Sequence, residues 1–135
     1  MTKGSGRCLC GHVRYKFDPE AVLWRGYCHC ESCRRATSSP VTAFFGVRAT
    51  GWRWMGKPPM RFESSPGTWR SFCPRCGAQM AYESARQSGE IHGYIASLDD
   101  PESLPPTQHF HADEALTWLP LDDGLARHQA MPRHD

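Results

Sequence analysis

The cysteines of this chain lie in three short clusters whose spacing suits metal binding. Thiolates two or three residues apart can reach one ion from a single turn, and zinc takes four ligands in a tetrahedron. The seven cysteines divide into a closed site of four and an open site of three, and an open zinc site can bind a ligand or do chemistry. The residues are Cys8 and Cys10, then Cys28, Cys30 and Cys33, then Cys73 and Cys76.

The last cluster, C-P-R-C-G at 73–77, has the pattern of a zinc knuckle. Its final glycine can adopt a positive φ, which lets backbone N–H groups turn towards the sulfurs. The natural partners are Cys8 and Cys10, and together with Cys73 and Cys76 they predict a structural zinc that supports a small core. The alternative is a redox C-x-x-C, which needs a βαβ context that the sequence does not show.

The middle cluster, C-H-C-E-S-C, supplies three thiolates. Cys28 and Cys30 are two residues apart and face the same way on a strand, and Cys33 can return to the same point through a turn. His29 then faces the opposite side and is not taken as a ligand. Three interpretations stay open: an open, ligand-accessible zinc site, an empty thiol cluster, or a site completed by a distant histidine such as His12, His92 or His109.

Two arginines, Arg34 and Arg35, follow the middle cluster directly. Three thiolates on one Zn²⁺ leave a net charge of −1, which an adjacent cation would offset. A guanidinium also binds a carboxylate through two parallel N–H bonds. Two solvated arginines at a loop end are the alternative interpretation.

The rest of the sequence predicts a single, mainly β domain. The chain has 135 residues, among them 12 glycines and 11 prolines, and long helical periodicity is absent. About eight short strands are expected, with one helical turn at 33–36 and a polar tail from 122. The predicted strand segments are 12–17, 22–28, 41–47 paired with 52–55, 60–63 paired with 69–73, 78–83, 90–98, 109–112 and 116–119. The loop at 99–106 is expected to hold a short helical turn.

Charge and hydropathy exclude several classes of function. The net charge is +2 without runs of like charge, so neither a nucleic acid nor a membrane surface is expected as a partner. No apolar stretch follows the start, and none is long enough for a membrane span. We therefore expect a cytoplasmic protein, in which close-set cysteines are metal ligands rather than disulfides. Its oligomeric state is left open, and a homo-oligomer is compatible with the sequence.

The three clusters together resemble the glutathione-dependent formaldehyde-activating enzyme (GFA) family, which shares its domain with centromere protein V. The matching stretches are C-L-C-G-H-V-R-Y at 8–15, C-H-C-E-S-C-R-R at 28–35, F-C-P-R-C-G at 72–77, S-L-D-D-P at 97–101, P-T-Q-H at 106–109 and W-L at 118–119. The resemblance covers about residues 5–120, predicted as the zinc-binding domain, and leaves 121–135 as the tail. Two departures are Ser38 and Ala96, where the family pattern often has glycine.

The resemblance implies a small β-tent-like fold of short antiparallel strands with two zinc ions. One would be structural, at Cys8, Cys10, Cys73 and Cys76, and the second would lie at Cys28, Cys30 and Cys33. The implied activity is that of a carbon–sulfur lyase or transferase that forms S-hydroxymethylglutathione from formaldehyde. Arg34 and Arg35 would then bind glutathione carboxylates, and no general acid–base residue is predicted. The alternative is a non-catalytic zinc module that binds a protein or another thiol ligand.

Overall fold

Two β-sheets form the framework of the protein. The computed structural model describes residues 4–131, which contain eleven strands and one α-helix, α1 (Glu31–Thr37). The smaller sheet holds β1 (Ser5–Arg7), β2 (Val13–Phe17) and β5 (Trp52–Gly56), in the order β1-β2-β5. The larger sheet holds β3 (Val22–Cys28), β4 (Thr42–Arg48), β6 (Met60–Ser65), β7 (Thr68–Phe72), β8 (Gln79–Ser84), β9 (Glu90–Tyr94), β10 (Gln108–Phe110) and β11 (Ala126–Arg127). Its order is β11-β10-β3-β4-β9-β8-β7-β6.

The predicted mainly β class is confirmed. Strand β3 has the predicted bounds, and β6 and β7 form the predicted antiparallel pair. The loop after β9 holds the expected short helical turn, at Pro101–Ser103. The sheets are not wholly antiparallel, because β10 runs parallel to both β3 and β11.

The predicted hairpin between residues 41–47 and 52–55 is wrong. Strand β4 pairs with β3 and β9, whereas β5 pairs with β2 in the other sheet. A 3₁₀ turn at Ala49–Gly51 separates the two strands and redirects the chain, so they lie in different sheets. The segment at 116–119, predicted as a strand, forms a turn, and β9 ends at Tyr94, where a 3₁₀ turn begins.

The main core contains aromatic side chains from both sheets. Tyr15 of β2 stacks on Trp52 of β5, with ring centroids 4.3 Å apart, and Phe45 of β4 packs against both rings. Successive residues of a strand face opposite sides. Phe44 therefore leaves this core and joins a second cluster with Tyr94 and two of the middle cysteines. One strand thus supports the core with one face and the candidate site with the other.

The segment predicted as a polar tail contacts the rest of the fold. Strand β11 pairs with β10, and Asp123 reaches the buried His109. Residues 132–135 of that predicted tail, and residues 1–3 at the start of the chain, lie outside the described residues. Within residues 4–131 no helix is long and apolar enough to cross a membrane.

Candidate metal centre and ligand groove

Four cysteine sulfurs converge where the smaller sheet meets the β7–β8 turn. Cys8 and Cys10 follow β1, Cys73 and Cys76 lie between β7 and β8, and the four Sγ atoms all lie within 4.8 Å of one another. The Sγ atoms of Cys8 and Cys10 are 3.7 Å apart, and those of Cys10 and Cys73 are 3.8 Å apart. Ligands at a Zn–S distance of ~2.3 Å in a tetrahedron lie about 3.8 Å from each other. This four-cysteine cluster therefore fits zinc.

Backbone N–H groups point at the sulfurs of the four-cysteine cluster, as thiolates require. Val13 donates to the Sγ of Cys8, and the amides of Arg75 and Cys76 donate to the Sγ of Cys73, each at 3.3 Å. Gly77 closes the turn with φ of 79°, the conformation predicted for it from the sequence. A hydrogen bond from the backbone of Ala78 lowers the pKa of Cys76 to about 6.

The three remaining cysteines form a second cluster at the start of α1. Cys28 ends β3, Cys30 caps the helix, and Cys33 lies in its first turn. The Sγ atoms of Cys28 and Cys33 are 3.9 Å apart, and the Cys33 amide donates to the Sγ of Cys30 at 3.3 Å. Within residues 4–131 no histidine or carboxylate offers a ligand atom to this three-cysteine cluster. The donor set of three thiolates fits zinc with one position left for another ligand.

Arg70 is a site residue that sequence analysis missed. It lies on β7, is only 6% exposed, and places both Nη atoms 3.9 Å from the Sγ of Cys33. Its guanidinium also covers the ring of Tyr82, 5.0 Å from the centroid. Burial tends to lower the pKa of Arg70, but Cys33, Tyr94 and Tyr82 together outweigh burial and raise the pKa, so the guanidinium stays charged. No local signal could place an arginine 37 residues away beside Cys33.

A groove of about 1030 Å³ opens onto the three-cysteine cluster. Cys30, Cys33 and Arg70 line one part of it, and Tyr82 belongs to the same lining. The rest is lined by the β6–β7 hairpin and by polar side chains from three other segments, namely Arg35, Arg86, His111 and Glu114. The three-cysteine cluster is therefore accessible to a small molecule through this groove.

The two arginines after the middle cluster have different surroundings. Arg34 donates through Nη1 to the carbonyl oxygens of His29 and Glu114, both at 2.7 Å, and so joins the cysteine segment to a later turn. Arg35 lines the groove, and its side chain is 79% exposed while it pairs with Glu31 at 2.8 Å. Of the two, Arg35 is the one with its charge accessible to a ligand.

His29 faces away from the sulfurs, into a buried chain of hydrogen bonds. Its Nε2 lies 2.8 Å from Nδ1 of His109, whose Nε2 lies 2.9 Å from a carboxylate oxygen of Asp123. Because a carboxylate only accepts, His109 donates to Asp123 through Nε2, and a neutral His109 then accepts from His29 through Nδ1. Burial lowers the pKa of His29 and so favours its neutral imidazole. These hydrogen bonds hold His29 in place and so fix the backbone between Cys28 and Cys30.

Comparison with known proteins shows similarity to one family and to several solved structures. The family described as glutathione-dependent formaldehyde-activating enzyme matches residues 3–114. No curated protein matches the chain. A crystal structure of a protein from Rhodobacter sphaeroides superposes with a TM-score of 0.61 at 18% sequence identity, covering 92% of this chain and 98% of that chain. At this identity, the structural similarity concerns the fold alone.

Proposed function

Because this chain belongs to the glutathione-dependent formaldehyde-activating enzyme family, we propose that it makes and breaks carbon–sulfur bonds in adducts of glutathione with a small carbonyl compound. The observation that carries the proposal is the three-cysteine cluster, with three thiols at one point and a groove that reaches it. The four-cysteine cluster is fully supplied with ligands and has the structural role.

The residues of the three-cysteine cluster would hold a zinc ion with one position open to the groove. Zinc bound there would accept a substrate sulfur as its fourth ligand and keep it deprotonated. Cys28, Cys30 and Cys33 fix the place of that sulfur, and the buried charge of Arg70 offsets the surplus negative charge of the thiolates. The substrate sulfur then adds to the carbonyl carbon, the C=O electron pair moves to oxygen, and the oxygen takes a proton.

A carboxylate of the thiol substrate would pair with Arg35. This side chain is exposed in the groove, and its pair with Glu31 is exposed too, so water and salt screen it strongly. Exchange of Glu31 for a ligand carboxylate therefore costs little. Arg34 contributes by holding the cysteine segment in place through the two carbonyl groups it binds.

Calorimetric titration with reduced glutathione tests the proposal. Arg35→Ala and the double variant Arg34→Ala, Arg35→Ala should bind glutathione at least several-fold more weakly than wild type, because they lose a charge-assisted hydrogen bond. Arg53→Ala is a matched control, since Arg53 lies on β5 in the other sheet and does not line the groove. All variants should keep the wild-type zinc content. A control variant as weak as Arg35→Ala would contradict the assignment.

A wild type that does not bind millimolar glutathione would favour the second candidate, a non-catalytic zinc module for a protein or another thiol ligand. One observation favours that candidate independently. Strand β6 is at the end of the larger sheet, with Phe62 and Met60 exposed. Edge strands of this kind can pair with a strand of another protein.

A further inference from the structure

His111 lies in the groove in an unusual backbone conformation. It follows β10 and precedes the 3₁₀ turn Ala112–Glu114. Its φ of 53° and ψ of 42° lie in the left-handed region, which residues other than glycine seldom adopt. Such positions recur at functional sites, where the placement of a side chain outweighs backbone strain. The groove that His111 lines is the one that reaches Cys30 and Cys33.

The carboxylate of Glu114 lies beside the imidazole of His111. Oε2 of Glu114 lies 3.4 Å from Nδ1 of His111, and Oε1 accepts a hydrogen bond from the backbone N–H of Glu31 at 3.0 Å. The backbone carbonyl of Glu114 accepts from Arg34 at 2.7 Å. The carboxylate is therefore held against the first turn of α1, the helix that also carries Cys33. Among residues 4–131, Nε2 of His111 makes no hydrogen bond, and the residue lines the groove.

Other side chains near the groove are less suited to transfer a proton. The hydroxyl-bearing ring of Tyr82 is covered by Arg70, and burial raises the pKa of its phenol. His29 and His109 are buried and hydrogen-bonded to each other. Imidazole is the side chain that ordinarily gains and loses a proton near neutral pH, and an adjacent carboxylate is the usual means of orienting it.

We propose, resting on the proposed function, that His111 is the acid–base residue of this site, with Glu114 as its positioning residue. In the addition direction, the bond between the substrate sulfur and the carbonyl carbon forms, and the carbonyl oxygen takes the proton from Nε2 of the His111 imidazolium. In the reverse direction, neutral His111 takes the hydroxyl proton, the C=O bond re-forms, and the carbon–sulfur bond breaks with its electron pair returning to sulfur.

The test compares reaction rate with ligand binding. NMR magnetisation transfer at equilibrium measures the rate at which glutathione and formaldehyde interconvert with their adduct. The zinc-loaded proteins compared are the wild type, His111→Gln, His111→Gly and Glu114→Gln. Glutathione affinity and zinc content are measured on the same samples. His128→Gln is the matched control, because His128 is exposed and does not line the groove.

His111→Gln should lose about a hundredfold of the enzymatic acceleration, a typical contribution of general acid–base catalysis, and keep glutathione affinity and zinc content within twofold. Added imidazole should restore part of the activity of His111→Gly but not of His111→Gln, because only the glycine variant leaves space for it. Wild-type rates in His111→Gln would overturn the role of His111 and leave the proposed function intact. A wild type without acceleration would overturn both.

Discussion

Replacement of Arg70 by methionine removes the one buried cation that contacts the three-cysteine cluster among residues 4–131. Arg70 is 6% exposed and has both Nη atoms 3.9 Å from the Sγ of Cys33. Methionine retains much of the side-chain volume and the contact with Tyr82 but carries no charge. The substitution therefore tests electrostatics rather than packing.

The size of the effect follows from the distance. Two unit charges ~4 Å apart attract by about 4 kcal/mol at an effective dielectric constant of ~20. Three thiolates around one Zn²⁺ carry a net charge of −1 spread over three sulfurs, so this attraction between two unit charges is an upper bound for Arg70. A hydrogen bond to a charged group contributes ~1.5–3 kcal/mol, and this range suits Arg70 better. Arg70→Met should weaken zinc binding at the three-cysteine cluster by about tenfold to hundredfold.

Competition with a chromophoric chelator would measure this affinity, and Co²⁺ substitution would report each thiolate site through its absorption. The four-cysteine cluster should be unaffected by Arg70→Met, and Arg70→Lys should recover part of the loss. Arg61→Met is a matched control, because Arg61 lies on the adjacent strand β6 and is about half exposed. Its guanidinium covers the ring of Trp69, whereas that of Arg70 contacts a cysteine. Unchanged zinc affinity in Arg70→Met would refute the electrostatic reasoning.

Three further predictions concern the metal and the helix end. Cys76→Ser should unfold or aggregate the protein, because the binding energy of zinc at the four-cysteine cluster is folding energy. Cys30→Ser should stay folded with one metal fewer. Equal decreases in the melting temperature of the two variants would contradict this division of roles. Ser38 ends α1 with φ of 58°, so Ser38→Gly should stabilise the fold by about 0.5–1 kcal/mol in denaturant titrations; a lower stability would show that the serine side chain matters there. Purified protein should contain between one and two zinc ions per chain and seven free thiols on denaturation, and a metal-free protein with native structure would exclude a structural zinc.

The cysteine clusters could be predicted from the sequence because each contributing pair or triplet is local. Two cysteines within a turn are close in any compact conformation, and the count of four plus three divided the cysteines into a closed set and an open set. The glycine that the family pattern often has at position 38 also has a physical reason, because Ser38 lies in the left-handed region.

Sheet pairing and the surroundings of the clusters could not be predicted in the same way. Glycines and β-branched residues favour strands at β4 and β5, but they do not show that β5 pairs with β2 across 35 or more residues of chain. Arg70 likewise looks like any arginine in an alternating strand until β7 is placed beside α1. The contact of Asp123 with His109 and the position of His111 in the groove both depend on β10 lying parallel to β3, which no local pattern indicates.

The contact between Asp123 and His109 has a consequence for designing fragments of this protein. The family match ends at residue 114, yet the carboxylate that completes the His29–His109 chain comes from residue 123. A fragment cut at the end of the match would leave a buried imidazole without its acceptor, at a cost of ~1–3 kcal/mol, and would also remove β11. Expression of this domain should therefore extend at least to His128, whose backbone bonds to both His109 and Ala112.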